Sequence, residues 1–322
     1  MRLISLKLLT ALAIAFAMTQ AQAQTWPTKP VRAIVPLGAG STTDIVPRVV
    51  FEQLSEQLGQ TIVVENRAGA GGTIGTGNVA RAPPDGYTIL ASGSVHTISP
   101  SLYRSLSYDP AQDFSAVIPL GTSVNVLVVS PAKGFKTVTD LVAAALAKPG
   151  TVTFSSVGVG TATHMSAERF RASAGIQLLH VPYKGGAEAM NEVIAGRVDI
   201  FFGPVGIVAP NVKEGKLTAL VVNGSKRTPA LPEVRTIKEA GYNDAEYPIW
   251  FGIFLPAKTP REIVDKLHRE TSKALQTPRV REKLASLGVD PMELAPADFD
   301  ALVRREISAN SALAKAIGIV PE

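Results

Sequence analysis

An apolar segment, Val31–Val35, is followed by a loop of small residues, Gly38–Thr43, and then by a helical pattern that begins near Asp44. A chain that passes from a strand through such a loop into a helix leaves the first N–H groups of the helix without intrahelical acceptors. These N–H groups and the helix dipole together favour an anion. The same composition is common in turns that bind nothing, so the assignment of an anion site needs a second signal.

A second loop of the same kind supplies that signal. Val152–Ser155 is a predicted strand, the residues from Ser156 to Thr161 are mostly small, and a helix is predicted from about Ala162. Two such loops on opposite sides of a cleft would clamp one anionic ligand. The alternative, that both are ordinary strand-to-helix turns, stays open on spacing alone.

Nucleotide and cofactor sites are disfavoured. The glycine-rich segment Asn66–Gly77 does not fit G-x-G-x-x-G, because Ile74 stands where the third glycine would be, and no G-x-x-x-x-G-K-[ST] occurs in the chain. We therefore expect no cofactor, and phosphate becomes a less favoured anion.

Catalytic and metal-binding patterns are also missing from the sequence. It has no G-x-S-x-G, no cysteine and no H-E-x-x-H. Of its histidines, His96 and His164 lie beside the serine-, threonine- and glycine-rich loops and are candidates to line a cleft, but neither has an identifiable acid–base partner. We expect no metal and no enzymatic activity.

The elements that would position these loops follow an α/β pattern. Helical patterns that end in glycine, such as those at Gly59, Gly175 and Gly196, lead into apolar strands, which is typical of parallel sheets. Two similar apolar segments, Asn125–Ser130 and Thr218–Asn223, bracket about a hundred residues, as paired strands at the hinge of an inserted domain would. The predicted strands are Val31–Val35, Thr61–Glu65, Tyr87–Ala91, Val124–Ser130, Val152–Ser155, Gln177–Val181, Val198–Phe202 and Leu217–Asn223. After Thr259 the chain is predicted to be mainly helical.

The N-terminus predicts export. Arg2 and Lys7 precede an apolar run, Leu8–Met18, and Ala21-Gln22-Ala23 follows, which is the pattern of a secretory signal peptide over residues 1–23. No later segment reaches 18 consecutive apolar residues. The formal net charge is +5 without any run of basic residues, so nucleic acid is not an expected partner.

Seven blocks of residues occur in a fixed order along the chain after the predicted signal peptide. They are Trp26-Pro27 with Lys29–Arg32, Val35-Pro36 with Gly40, Asp44 and Arg48, Val64–Arg67 with Gly69–Gly72, Asp85–Thr88, Gly158 with Gly160, Thr161 and His164, His180–Gly185, and Gly196–Asp199. Together these blocks resemble the Bug family, the periplasmic receptors of tripartite tricarboxylate transporters. Any one block would be weak, but their order behind an export signal makes the resemblance specific.

The resemblance implies a type II periplasmic binding protein fold, with two α/β lobes, a ligand cleft and two crossover strands. Lobe 1 is expected over residues 24–124 and 225–322, and lobe 2 over 125–224. The carboxylate pocket implied by the family comprises Gly40, Ser41, Thr42 and Asp44, with opposing contacts from Ser94, His96, Ser155, Gly160, Thr161 and Asp199. The family usually has a second glycine where Ser41 stands, and often an asparagine where Ser99 stands, so ligand preference is expected to differ here.

The expected function is a periplasmic, monomeric receptor that captures a small carboxylate, either an organic acid or an amino acid, and delivers it to membrane transporter subunits. Asp199 would pair with an ammonium group if the ligand carried one. Two alternatives stay open: a receptor that presents its ligand to a signalling sensor, and an exported hydrolase or isomerase that uses His96 or His164.

Overall fold

The computed structural model describes residues 26–247, 249–316, 318–319 and 321. The predicted signal peptide, residues 1–23, lies outside the described residues. The strands are β1 (Val31–Val35), β2 (Ile62–Asn66), β3 (Thr88–Gly93), β4 (Phe114–Ser123), β5 (Asn125–Val129), β6 (Val152–Ser156), β7 (Leu178–Pro182), β8 (Ile200–Pro204), β9 (Thr218–Asn223), β10 (Ile249–Pro256) and β11 (Val289–Asp290). The α-helices are α1 (Thr42–Leu58), α2 (Thr73–Ala80), α3 (Val95–Leu102), α4 (Val138–Ala147), α5 (Ala162–Ala174), α6 (Gly186–Ile194), α7 (Val205–Lys213), α8 (Arg261–Gln276), α9 (Pro278–Ser286) and α10 (Pro296–Ala316).

The strands form two sheets, and each sheet is the centre of one lobe. Lobe 1 is built on six strands in the order β11-β4-β10-β3-β1-β2, and lobe 2 on five strands in the order β7-β6-β8-β5-β9. In lobe 1, β1 pairs parallel with β2 and β3, and β10 runs antiparallel between β3 and β4. In lobe 2, β6 pairs parallel with β7 and β8, and β5 runs antiparallel to β8 and β9.

Each sheet is covered on both faces, which explains its nearly continuous apolar strands. In β1, Val31, Ala33 and Val35 pack into one core cluster, and Ile34 packs into the cluster on the other face. In β5, Leu127 and Val129 face one side and Val126 and Val128 the other. All of these side chains are almost completely buried.

The predicted strands are all present, with ends shifted by at most three residues, but β4, β10 and β11 were not predicted. β4 contains Pro119 and Gly121, and β10 contains Gly252. These residues interrupt the pattern by which a strand is recognised in sequence. Both sheets are therefore mixed, whereas the helix–glycine–strand pattern had indicated parallel pairing.

The two lobes are joined beside the paired strands β5 and β9. β4 ends at Ser123 and β5 begins at Asn125, so Val124 alone connects them. Asn125 lies opposite Asn223, the last residue of β9. The similarity of the two apolar segments thus reflects a real pair of strands at the connection between the lobes.

The chain after β9 still packs on lobe 2, since Leu231, Ile237 and Ala245 belong to its core clusters, and it enters lobe 1 only with β10. The predicted lobe boundary at residues 224/225 is therefore about twenty residues too early.

The lobes also touch away from this connection. A Cβ on Gly160, which precedes α5 in lobe 2, would collide with Leu102 of α3 in lobe 1. Beside the connection itself, a Cβ on Gly206 in α7 would lie 2.5 Å from the carbonyl oxygen of Leu287, and the neighbouring Val205 N–H donates to the carbonyl oxygen of Val124. Among the described residues, we find no helix with the length and apolar character needed to cross a membrane.

His96 is a core residue of lobe 1 and does not reach a cleft. It is 1% exposed, its ring lies 4.9 Å from that of Phe114 and 4.7 Å from that of Phe254, and its Nε2 lies 3.1 Å from the carbonyl oxygen of Pro110. Burial lowers the pKa of His96 to about 4, so this histidine is neutral at pH 7 and its Nε2–H donates to Pro110. The sequence-based expectation that His96 contacts ligand is not supported by this position.

We predict that His96 makes folding stability depend on pH. The unfolded chain binds a proton on His96 near pH 6.5, whereas the folded chain resists protonation until about pH 4. Stability is therefore lost as pH falls through this window, by up to ~2 kcal/mol between pH 7.5 and 5 from this residue. In His96→Phe, chemical unfolding at several pH values should give a flatter dependence, with lower stability at pH 7.5 because Pro110 loses its donor. An unchanged slope would contradict this assignment.

Candidate functional site

Five helices begin at the cleft between the lobes. Each of them follows directly on a strand: α1 on β1, α3 on β3, α5 on β6, α6 on β7 and α7 on β8. The carboxyl ends of these strands therefore lie at the cleft, where ligands of open α/β sheets bind. The cleft is lined by the residue at the N-cap position of each of these helices, that is, by Ser41, Ser94, Thr161, Gly185 and Pro204.

The cleft has two chambers. The larger, which we call the loop chamber, has a volume of about 510 Å³, and its lining includes Gly38–Thr42 of lobe 1 and Lys184–Ala187 of lobe 2. The smaller, the hinge chamber, has a volume of about 90 Å³ and lies beside the connection between the lobes, at Ser123 and Asn125. The chambers share Leu37, Ser41, Thr42, Val157, Thr161, Thr163 and Pro204.

Asp44 shapes the first loop from behind. Its carboxylate accepts hydrogen bonds from the Gly40 N–H (2.9 Å), from Asn66 Nδ2 (2.9 Å) and from Arg48 Nε (2.8 Å). Burial raises the pKa of Asp44, but these hydrogen bonds and the Arg48 charge outweigh burial and hold that pKa below its usual range. Asn66 also donates to the carbonyl oxygen of Leu37 at 3.0 Å, so both ends of the loop are fixed.

The second loop repeats this arrangement with a different side chain. The Gly160 N–H donates to His164 Nδ1 at 3.2 Å, four residues ahead, as the Gly40 N–H donates to Asp44. Gly40 and Gly160 have φ of 79° and 75°, in the left-handed region that glycine adopts without strain. The following residues, Ser41 and Thr161, also have matching extended conformations.

His164 acts as a neutral acceptor in that loop. Burial first, and then the charges of His180 and Arg171, lower the pKa of His164 to about 3. The His164 ring lies 4.3 Å from that of His180, tilted by 33°, and His180 Nε2 lies 2.6 Å from Ser156 Oγ. Since neither His164 nor His180 lines a chamber, the histidines support the loop and do not face the ligand.

Unpaired N–H groups remain at both helix starts. In α1 the carbonyl oxygen of Ser41 accepts hydrogen bonds from the N–H groups of Asp44 and Ile45. The N–H groups of Thr42 and Thr43 have no acceptor within the helix. In α5 the carbonyl oxygen of Thr161 accepts from Met165, which leaves the N–H groups of the first turn. Because these first turns line the chambers, their donors are available to an anion there.

Ser41 adds a free hydroxyl to the first loop. Its Oγ is buried and has no hydrogen-bond partner among the described residues, and it does not cap α1. In the second loop the equivalent Thr161 Oγ1 donates to the carbonyl oxygen of Gly158 at 2.7 Å. The Ser41 hydroxyl is thus available for a further hydrogen bond, whereas the Thr161 hydroxyl stabilises its own loop.

Charged side chains are nearly absent from the cleft lining in the described residues. Lys184 is the one charged residue that lines either chamber in the described part of the chain, and it is exposed. Neither lining includes an aspartate or a glutamate among those residues. The described residues also contain no group of three or more histidine and acidic side chains that could hold a metal ion.

The structure brings half of the sequence-predicted site residues to the cleft: Gly40, Ser41, Thr42, Ser94 and Thr161. The other half do not line it. Asp44 and Gly160 make hydrogen bonds that hold the two loops in shape. His96 lies in the core of lobe 1, and Ser155 and Asp199 make hydrogen bonds within lobe 2.

Asp199 and Ser155 are internal for clear reasons. Asp199 precedes β8, so it lies at the amino end of that strand, about 16 Å from the cleft at ~3.3 Å per residue. Its carboxylate accepts from Thr153 at 2.8 Å and pairs with Lys133 at 2.7 Å, and these contacts lower its pKa despite burial. Ser155 Oγ donates to the carbonyl oxygen of Ala189 at 3.1 Å. Asp199 is therefore not placed to bind a ligand ammonium group.

Sequence reasoning missed the residues that line the hinge chamber from the connection between the lobes and from β10. Asn125 is the one for which a signal existed, because it is an amide at the start of the apolar strand NVLVV. Ile249, Trp250 and Phe251 were missed because β10 itself was not recognised. Thr163 and Pro204 belong to helix starts whose roles depend on how the lobes meet.

Comparisons with known proteins agree with this geometry. A sequence model of the tripartite tricarboxylate transporter family receptors matches residues 46–319. Protein BugT of Bordetella pertussis is 34% identical over 287 residues, which cover 88% of this chain and 88% of BugT.

Two solved structures are similar along almost the whole chain. A protein of R. palustris with adipate has a TM-score of 0.85 and 34% identity, covering 92% of this chain and 100% of the other. MatC from Rhodopseudomonas palustris with bound malate has a TM-score of 0.83 and 30% identity, covering 90% of this chain and 100% of MatC.

The two loop glycines give a matched test of contact between the lobes. Gly40→Ala and Gly160→Ala should each cost about 1–2 kcal/mol of stability from the left-handed backbone. Only the new methyl group at position 160 meets Leu102 in the other lobe. Double-mutant cycles with Leu102→Ala, measured by chemical unfolding, should give a coupling of ~1 kcal/mol for position 160 and none for position 40. Equal couplings at the two positions would show that the lobes do not touch here.

Proposed function

The chain belongs to the tripartite tricarboxylate transporter receptor family, and we propose that it is a periplasmic solute-binding protein for a small carboxylate. The proposal rests on the set of helix starts around the cleft, whose lining includes no acidic side chain among the described residues. Unpaired N–H groups and helix dipoles stabilise a carboxylate without a permanent cation.

The carboxylate is best placed where the chambers meet. Ser41, Thr42, Thr161 and Thr163 line both chambers, so this junction lies between the starts of α1 and α5, which belong to different lobes. A hydrogen bond from an N–H or O–H group to a charged acceptor contributes roughly 1.5–3 kcal/mol. Two or three such bonds from each lobe would make the ligand the link that favours the closed arrangement.

The remainder of the ligand would occupy the loop chamber. Its volume of about 510 Å³ suits a small organic acid, and its lining is mostly apolar apart from the loops and Lys184. The bound adipate and malate of the two similar structures are carboxylates as well.

The lobes would act as the two jaws of the receptor. Lobe 1 would comprise residues 24–124 and the chain from β10 onward, and lobe 2 would comprise residues 125–224 with the segment up to Ala245 that packs on it. Closure on the ligand about the β5–β9 connection would create the surface that the transporter subunits recognise. Residues 1–23 would direct export, and the mature chain would act as a monomer. Catalysis by His96 or His164 gains no support, because both histidines are buried, neutral and absent from the cleft lining.

The proposal is tested by ligand-induced stabilisation of the purified mature chain. In a screen of mono- and dicarboxylates by thermal unfolding, at least one acid should raise the melting temperature in a concentration-dependent way, by mass action. Native mass spectrometry should then detect that acid bound and chemically unchanged after long incubation. The absence of a shift across the whole screen would refute the proposal.

A paired substitution separates the roles of the two loop hydroxyls. Ser41→Ala should weaken binding of that acid about 5- to 10-fold, equivalent to ~1–1.5 kcal/mol, without lowering the stability of the free protein, because Ser41 Oγ has no protein partner. Thr161→Val should lower stability as well, since the Thr161 hydroxyl holds its own loop. Calorimetric titration and unfolding of both variants check this, and an unchanged affinity in Ser41→Ala would remove Ser41 from the site.

A further inference from the structure

Asn125 is a buried polar residue whose hydrogen-bonding capacity is only half used. It begins β5 at the connection between the lobes, is 0% exposed and lines the hinge chamber. Its Nδ2 donates to the carbonyl oxygen of Ala162 at 3.2 Å and to Ser166 Oγ at 3.0 Å. Its Oδ1 has no partner among the described residues.

The orientation of this amide is fixed by chemistry. The carbonyl oxygen of Ala162 can only accept, so it must face the NH₂ group of Asn125 and not the Oδ1. The Oδ1 consequently does not face the carbonyl oxygen of Ala162, and Asn125 itself lines the hinge chamber, from which a donor can approach. An unpaired acceptor buried at such a position costs roughly 1–3 kcal/mol until a donor reaches it.

The hinge chamber limits what that donor can be. Its volume of about 90 Å³ holds on the order of three water molecules, which is too little for the body of an organic acid. Its walls include Ile249 and Val95 and no charged side chain within the described residues. A carboxylate oxygen beside Asn125 Oδ1 would place two acceptors together, so the occupant is a small group that carries a proton.

Of the small donors, a hydroxyl fits better than an ammonium. No acidic side chain lines either chamber in the described part of the chain, and the surrounding helix starts are positive, so a second cation would be repelled. A hydroxyl can donate to Asn125 Oδ1 and can also accept a hydrogen bond, whereas an ammonium can only donate. The capacity to accept suits a cleft at which helix starts present N–H donors.

We propose that Asn125 makes this receptor select 2-hydroxycarboxylates, acids that carry a hydroxyl on the carbon beside the carboxylate. This inference rests on the proposed function, because it takes the carboxylate to bind at the junction between the starts of α1 and α5. From there the neighbouring hydroxyl reaches the hinge chamber and the rest of the ligand extends into the loop chamber.

The test uses acids that differ in a single group. The purified mature chain is titrated calorimetrically with malate, succinate and aspartate, and with lactate, propionate and alanine. We expect the hydroxy acid of at least one set to bind 10-fold or more tightly than its unsubstituted and amino counterparts. In Asn125→Ala, affinity for that hydroxy acid should fall about 10-fold, while affinity for the unsubstituted acid stays within twofold. Ser166→Ala is the matched control, since it removes a partner of Nδ2 but leaves Oδ1, and it should keep the preference.

Each other outcome overturns the inference in a recognisable way. Equal binding of hydroxy and unsubstituted acids by the unaltered protein means that water satisfies Asn125, and tighter binding of the amino acid means that the chamber takes a cation. Equal losses for both acids in Asn125→Ala would make the residue purely structural.

The comparison of hydroxy, unsubstituted and amino acids in the unaltered protein tests the inference even if Asn125→Ala does not fold. If unsubstituted acids bind and hydroxylated ones do not, only this inference fails; if no acid in this panel or in the broader screen binds, the proposed function fails.

Discussion

The arrangement of the cleft depends on backbone N–H groups at helix starts, and in α1 and α5 those of the first turn have no acceptor within the helix. A helix that follows a strand through a tight loop begins with donors that lack intrahelical acceptors. Here five such helices begin along one cleft, three of them, α5, α6 and α7, in lobe 2 and two, α1 and α3, in lobe 1. Because strands with parallel neighbours have their carboxyl ends on one edge of a sheet, the fold itself concentrates these donors. The order and direction of the strands thus provide the N–H donors that favour an anion, and the side chains adjust which anion fits.

The side chains around the cleft act mainly on the shape of the loops. Asp44 and His164 occupy equivalent positions, and each accepts a hydrogen bond from the N–H of a glycine in the left-handed conformation. Asp44 is a carboxylate that its hydrogen-bond donors keep charged, whereas His164 is an imidazole that burial keeps neutral. Neither adds a negative charge to the lining of the chambers. In the described residues Ser41 Oγ in one lobe and Asn125 Oδ1 in the other are buried without a partner, and we propose that ligand selectivity depends on them.

The sequence predicted more of the fold than of the site. Continuous apolar strands, helices that end in glycine and the two similar segments at Asn125 and Thr218 predicted the α/β lobes and their connection, because these signals are local. β4 and β10 were missed since Pro119, Gly121 and Gly252 break the strand pattern. Gly40, Ser41 and Thr161 were found because a helix start is visible in sequence. His96 and Ser155 are polar residues near such loops, and Asp199 precedes a strand. Their partners, Pro110, Ala189 and Lys133, come from elsewhere in the chain, so sequence proximity does not reveal them.

The central claim is that unpaired N–H groups at the cleft bind a carboxylate because it is an anion. The most direct measurement compares the acid that binds most tightly with its own primary amide, which has nearly the same shape and no charge, by calorimetric titration at constant ionic strength. We expect the amide to bind at least 100-fold more weakly than the acid, since each N–H group then meets a neutral oxygen or an opposing NH₂ group. Equal affinity for acid and amide would contradict it.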